Sequence, residues 1–370
     1  LPIVIEPYRQ EHEPAVAEFN QRLRAAGADQ DFVFYPWATP RWLPPSGNSP
    51  LNNKFFLALD GKTVRGGYAL KHQDFLFPDG TVRNVAYYHH PLSEGIVDKA
   101  HAIVGTLLLR DALNRSPLLY CLGMGGYQNP LAQMLVRLGW SHCPIPFWFH
   151  VVRPSRFLRQ MQAARTSPLR RLGMDFAAFS GLGWLASKVF NVARSAGRTD
   201  YQFEPIAEFS GWTDALWAAA KDSYTLTAVR DCATLVSLFS PDQTHLTRLR
   251  VTRNGSELGW AVVGEKRRDA KYGEMRVGSI VDCWASPENA LPVVRAAADA
   301  LKQKGMDLII SNQSHTSWCR ALAESAFLQA QSNFVFAASK KFSELIRPFD
   351  ENKCRMHFTR ADGDGLPHNY

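Results

Sequence analysis

Apolar and polar residues alternate in short runs at the start of the chain and then recur every three to four residues, and this change of period returns along its length. Alternation marks a strand, and recurrence near 3.6 residues marks an amphipathic helix. The pattern predicts a strand from Ile3 to Glu6 and a helix from about Glu13 to Ala26. Two strands, Phe55 to Leu59 and Val64 to Lys71, flank Asp60 and Gly61, a pair that favours a tight hairpin. A third strand, Val82 to Tyr88, follows the turn Pro78-Asp79-Gly80. The loop His89 to Lys99 then leads into a helix from about Ala100 to Leu113. A strand from Leu118 to Gly123, a helix from Asn129 and a strand from Phe147 to Arg153 complete the order β-α-β-β-β-α-β-α-β.

The second half repeats that order. It has a strand from Tyr201 to Pro205, a helix from Thr213 to Ala220 and a hairpin from Leu249 to Val263 around Asn254 and Gly255. A strand from Met275 to Cys283, a helix from Leu291 to Lys304 and a strand from Asp307 to Ser311 follow. Residues 129–140 and 147–153 match 316–327 and 334–340 at a constant offset of 187. Copies this long mean two similar domains in tandem, since solenoid repeats are far shorter. The expected division is a first domain at 1–152, a linker at 153–200, a second domain at 201–345 and a tail at 346–370. The expected class is α/β (α+β), each domain a mixed sheet flanked by helices.

Composition adds limits. In 370 residues, 46% are hydrophobic, enough for two cores. No run approaches the roughly 18 apolar residues of a membrane-spanning helix. No basic, apolar leader opens the chain, and six scattered cysteines without Cys-x-x-Cys or metal-ligand spacing suit a reducing compartment, so the expected location is cytoplasmic. The charge is concentrated. Nine basic residues and one acid, Asp175, lie from Arg153 through Arg198, which equals the whole net charge of +8. Phe176, Phe179, Trp184 and Phe190 stand among them. The stretch 170–194 therefore reads as a segment that lies on an anionic membrane surface, or as a basic linker whose apolar residues pack on a domain. Nucleic acid is the weaker reading, because the charge is confined to one segment without a nucleic-acid module.

The element order, together with Asn129, Ala132, Leu138, Gly139 and Trp140 on and after the later helix, resembles the GNAT superfamily of N-acetyltransferases. The resemblance covers about 1–152 and 201–341, and the tandem arrangement is similar to Fem-type aminoacyl transferases. It implies an acyl donor, acetyl-CoA or another acyl-CoA, held between splayed fourth and fifth strands. The pyrophosphate would meet the start of the next helix, where free N–H groups and the helix dipole favour anions. An amine would attack the thioester directly. The family's phosphate loop is degenerate here: only Gly105 matches, with Lys99 one residue from the expected cation. The tyrosine that often serves as general acid would fall at Leu135 or Val136.

Candidate residues follow from that frame. Glu94 or His90 can accept a proton at the end of the third strand, and Ser93, Gly95, Lys99 and Gly105 surround the expected phosphate. Gly125, in the run Gly123 to Gly126, and Asn129 stand beside the next strand end. In the second half, Asp282 and His315 end neighbouring strands as a candidate acid–base pair. Each of these residues also fits an ordinary surface loop. Asp362 and Asp364 in the glycine-rich tail fit a frayed end, a segment folded into a cleft, or oxygen ligands for a cation. The expected function is acyl transfer to an amine, a small-molecule or lipid-linked acceptor such as an envelope or exopolysaccharide precursor at the inner membrane face. Two rivals stand beside it: a Fem-like transferase using aminoacyl-tRNA, and a non-catalytic GNAT-fold binding or scaffold protein.

Overall fold

The computed structural model describes residues 2–28, 32–40, 43, 51–160, 200–266 and 274–363, so the basic stretch 170–194 and Asp364 lie outside the described residues. The first elements are β1 (Val4–Pro7), α1 (Glu13–Ala25), β2 (Asn52–Asp60), β3 (Thr63–Leu76) and β4 (Val82–Ser93). α2 (Ile103–Arg115), β5 (Leu119–Gly123), α3 (Pro130–Arg137), β6 (Ser141–Pro144), β7 (Phe147–Val151) and α4 (Pro154–Gln160) follow. Next come β8 (Gln202–Ile206), α5 (Trp212–Ala220), β9 (Leu226–Ala228), α6 (Cys232–Leu238), β10 (Leu246–Arg253) and β11 (Ser256–Lys266). β12 (Val277–Ala285), α7 (Ala290–Gln303), β13 (Leu308–Asn312), α8 (Thr316–Glu324) and β14 (Leu328–Ala330) come after them. β15 (Val335–Ala338), α9 (Lys340–Leu345), α10 (Phe349–Asn352) and β16 (Met356–His357) come last.

Two compact units form, and each contains a strand from the other half of the sequence. The first sheet runs β1-β2-β3-β4-β5-β15-β6, and the second runs β8-β10-β11-β12-β13-β7-β14. The two orders are the same, with the strands at the sixth place exchanged. Thus β7 pairs antiparallel with β13, His150 opposite Ile309, while β15 pairs with β5, Phe336 opposite Leu122. This corrects continuous domains ending at 152 and 345. One local contribution lies between β6 and β7. Only Ile145 and Pro146 separate them, and a two-residue hairpin needs positive φ at its first or both loop positions. Pro fixes φ near −65° and Ile is β-branched, so the chain runs on instead of turning back.

The expected linker also shortens. Residues 154–160 are helical, and Arg153 and Arg156 bond the fully buried Asp307 at 3.2 and 3.3 Å. Those two charges therefore serve an internal carboxylate. Among the described residues no helix is long and apolar enough to cross a membrane.

In the first unit the sheet is covered on both faces. α1 presents Val16, Phe19 and Leu23 at helical spacing to Phe34, Phe55, Leu57 and Ala69. α2 places Val104, Leu108 and Leu109 against Tyr68, Leu70, Ala86 and Tyr88. Each such fully buried side chain contributes roughly 1.5–3 kcal/mol relative to an exposed one. In the second unit nine residues of α7, among them Val293, Val294 and Leu301, are buried.

Candidate active site

In the first unit, Tyr68 of β3 faces two residues of β4, because Gly67 pairs with Leu92 and Ala69 with His89. The extra residue makes a bulge, and His90 adopts φ +51° to form it. β4 and β5 pair in parallel only at Ala86–Leu119 and Tyr87–Tyr120, after which they diverge. Past the last pair the Tyr87 hydroxyl donates to the Leu122 carbonyl at 2.8 Å. Gly123, Met124, Gly125 and Gly126 then run through φ of +117°, +61°, +73° and +101°, a positive-φ run in which three of the four residues are glycine.

His89, not His90, occupies the buried position beside this divergence. It is 7% exposed, and its ring stacks on Tyr87 at 5.0 Å. Its Nε2 faces Asn53 Oδ1 and its Nδ1 faces the Tyr35 hydroxyl, each at 3.2 Å. With Asn53 accepting from Nε2, the lone pair of Nδ1 receives the Tyr35 hydroxyl proton. The neighbouring His90 bonds the Val33 carbonyl through Nε2 at 2.6 Å and packs on Phe34 and Tyr35.

The other expected residues divide by geometry. Glu94 accepts from Arg22 at 2.8 Å and from Arg65 at 2.9 Å. Burial alone would raise its carboxyl, but the two guanidiniums together hold it below the usual range, which makes it a weak base. Ser93 Oγ accepts from the Gly95 amide. A Cβ on Gly95 would lie 2.7 Å from the His101 carbonyl oxygen and 2.8 Å from the Ala102 Cα, so its glycine serves close packing of loop on helix. Gly105 is different: a Cβ there would meet nothing within 4 Å. Lys99 is exposed, and α2 starts without a side-chain cap. Asn129 caps α3, its Oδ1 accepting from the Leu131 amide at 2.9 Å, and a Cβ on Gly125 would lie 3.8 Å from its Nδ2.

The second unit repeats the bulge and the divergence but fills them. Val262 pairs with Asp282 and Val263 with Ile280, so Val281 is the extra residue, and β12–β13 pairing ends at Ile280–Ser311. Trp284, Tyr224 and Trp318 surround His357, their ring centroids 5.4, 4.9 and 5.6 Å from its own. Tyr224 donates to the Ala285 carbonyl and accepts from the Trp318 indole. The tail segment follows. Ser314 and Phe358 exchange hydrogen bonds, and Thr359 donates to Asp282 at 2.9 Å. The buried Arg230 joins Asp282 at 2.7 Å to Asp362 at 2.6 Å.

Asp282 and His315 therefore do not form the expected acid–base pair. Burial raises Asp282 to about 6 in spite of Arg230. His315 caps α8 by accepting from the Ser317 amide, and burial, with help from Arg355, lowers it to about 4. The tail is not frayed through Asp362, whose cationic partner is a guanidinium. The 3-10 turn before α7 carries Glu288 and no glycine, unfavourable for a pyrophosphate.

The sequence reading missed His89, Lys71 and Gln73. Lys71 and Gln73 lie on the inner face of β3, opposite Tyr87 and Val85. Ending β3 at Lys71 hid the signal, which was two polar residues where an inner face should be apolar.

No family model and no curated protein matches the sequence. A solved structure of Saccharomyces cerevisiae N-myristoyltransferase with bound myristoyl-CoA and inhibitors does match. At 8% identity it aligns over 92% of this chain and 80% of that one, with a TM-score of 0.50. The match spans both units, whose sheets share one strand order with a bulged fourth strand diverging from the fifth. The chain has a tandem GNAT-like fold. Two further structures resemble this tandem GNAT-like chain at lower scores. One is a tandem GNAT protein from the clavulanic acid biosynthesis pathway, without acetyl-CoA, at 11% identity, covering 91% of this chain and 99% of that one, TM-score 0.47. The other is a protein of Enterococcus faecalis V583 described as a probable N-acyltransferase, at 9% identity, 93% and 74% coverage and TM-score 0.49.

Proposed function

We propose that this protein transfers an acyl group from acyl-CoA to an amine, and that the first unit does so. The carrying observation is the contrast between the two divergent strand pairs. The first borders a buried His89–Tyr35 pair and a glycine turn, whereas the second is packed with Tyr224, Trp318 and His357. The thioester would lie between β4 and β5. As the amine attacks its carbonyl carbon, Tyr35 takes the amine proton while passing its own to His89 Nδ1. The C–S bond then breaks and CoA leaves as the thiolate. The helical segment that opens at Lys99 and runs into α2, with open space at Gly105, would receive the pyrophosphate, Lys99 offsetting the Asp98 carboxylate that caps its first turn.

The test is isothermal titration with acetyl-CoA and myristoyl-CoA, followed by transfer assays on a panel of amines. His89→Gln is expected to lower kcat about 100-fold and leave acyl-CoA affinity unchanged. Lys99→Glu is expected to weaken acyl-CoA binding about tenfold, because repulsion replaces attraction at the phosphates. Binding of neither thioester would sink the reading in favour of a scaffold, and activity with aminoacyl-tRNA instead would favour the Fem-like alternative.

A further inference from the structure

We infer that the acceptor is an amine that also carries a carboxylate, and that Lys71 and Gln73 bind this second group. The inference rests on the acyl-transfer reading and names its acceptor class. β3 sets Lys71 and Gln73 two residues apart on the sheet face that also carries Asn53, Tyr87 and His89, because Asn53 pairs with Lys71, Lys71 with Tyr87, and Ala69 with His89. Lys71 is 3% exposed and its Nζ lies 5.6 Å from the centre of the Tyr87 ring, the same ring on which His89 stacks.

Gln73 supplies the independent observation. It is 1% exposed, and neither its Nε2 nor its Oε1 has a hydrogen-bond partner. Buried amides are nearly always paired, so an amide with both ends open on a polar inner face points to a ligand. A carboxylate answers both neighbours. One oxygen accepts from Lys71, whose ammonium has three donors and can serve protein and ligand together, and the other accepts from Gln73 Nε2. Gln73 Oε1 is left to accept an N–H or O–H of the same molecule.

Other ligands fit less well. An acyl chain would leave both ends of the Gln73 amide desolvated without compensation, and a simple alkylamine brings no acceptor for its Nε2. Spacing agrees as well. Lys71 and His89 are diagonal neighbours across the β3–β4 pair, a relation that separates side-chain origins by about 7–8 Å. Amine and carboxylate must then stand only a few bonds apart, as in an amino acid or an amino-sugar acid.

The test uses the full chain, acetyl-CoA and matched acceptor pairs, each a free amino acid or amino-sugar acid against its carboxamide. The acid form is expected to react with at least about tenfold higher kcat/KM, arising in KM. Lys71→Met should bring the acid-to-amide ratio close to one, through a rise in KM for the acids. Should Lys71→Met fail to fold by circular dichroism, Gln73→Leu and the ratio in the unmodified protein read the same property. Equal rates for acid and amide in the unmodified protein overturn the inference and leave acyl transfer standing. Absence of transfer to any amine overturns both.

Discussion

Arg230→Met is expected to destabilise the second unit by about 3–5 kcal/mol, the range found when one partner of a buried ion pair is removed. Arg230 is 1% exposed and bonds Asp282 and Asp362, both fully buried. Removing the guanidinium leaves two carboxylates in an apolar interior, where they desolvate and repel each other. The loss also spreads, because Thr359 bonds both carboxylates and holds the start of the last turn. Urea denaturation followed by tryptophan fluorescence measures the change, since Trp260, Trp284 and Trp318 are buried in this unit. A variant with all three charges replaced, Arg230→Met, Asp282→Leu and Asp362→Leu, should recover most of the stability, because no charge then remains to be desolvated. A loss below about 1 kcal/mol for Arg230→Met would show that the cluster does not hold the tail.

Acid should weaken the same unit well above the pH at which most proteins unfold. Burial lowers His150 and His315 to about 4 and His357 well below its usual value. In the unfolded chain all three titrate near 6.5. Between those values the unfolded state binds more protons, so the stability present above pH 6.5 is lost as pH falls toward 4. Asp282 acts in the opposite direction. Burial raises its folded value to about 6, so the native state takes up that proton first on acidification and regains part of the loss. Three histidines against one carboxyl leave a net loss of stability as pH falls from 7 toward 5. Denaturation midpoints at pH 7.5, 6 and 5 measure it, and His357→Phe should flatten the dependence. A midpoint that does not move between pH 7.5 and 5 would contradict the burial of these rings in solution.

Local pattern and tertiary structure divided the information unevenly between fold and site. The periodicity of β2, β3 and β4, the Asp60–Gly61 turn and the offset of 187 sufficed for two similar mixed sheets, because strand and helix periods, hairpin chemistry and internal repetition are properties of neighbouring residues. The exchange of β7 and β15 was harder to see. A strand makes the same kind of hydrogen bonds in either sheet, so its own residues do not state its destination. One local signal was Ile145–Pro146, which disfavours a two-residue turn between β6 and β7.

The site depended more heavily on three dimensions. Glu94 and His90 were chosen for chemical type at a strand end. Arg22 and Arg65, distant in sequence, made Glu94 an ion-pair partner, and His89, in step with Tyr87 ahead of the bulge, took the buried position. Asp282 and His315 end neighbouring strands as expected, but Arg230 and Tyr224 stand against them. What the sequence determined by itself was the architecture, written in short-range periodicity. Which groups stand beside each divergent strand pair was decided only by folding, because a carboxylate or imidazole takes its role from the charges and burial that distant segments bring to it.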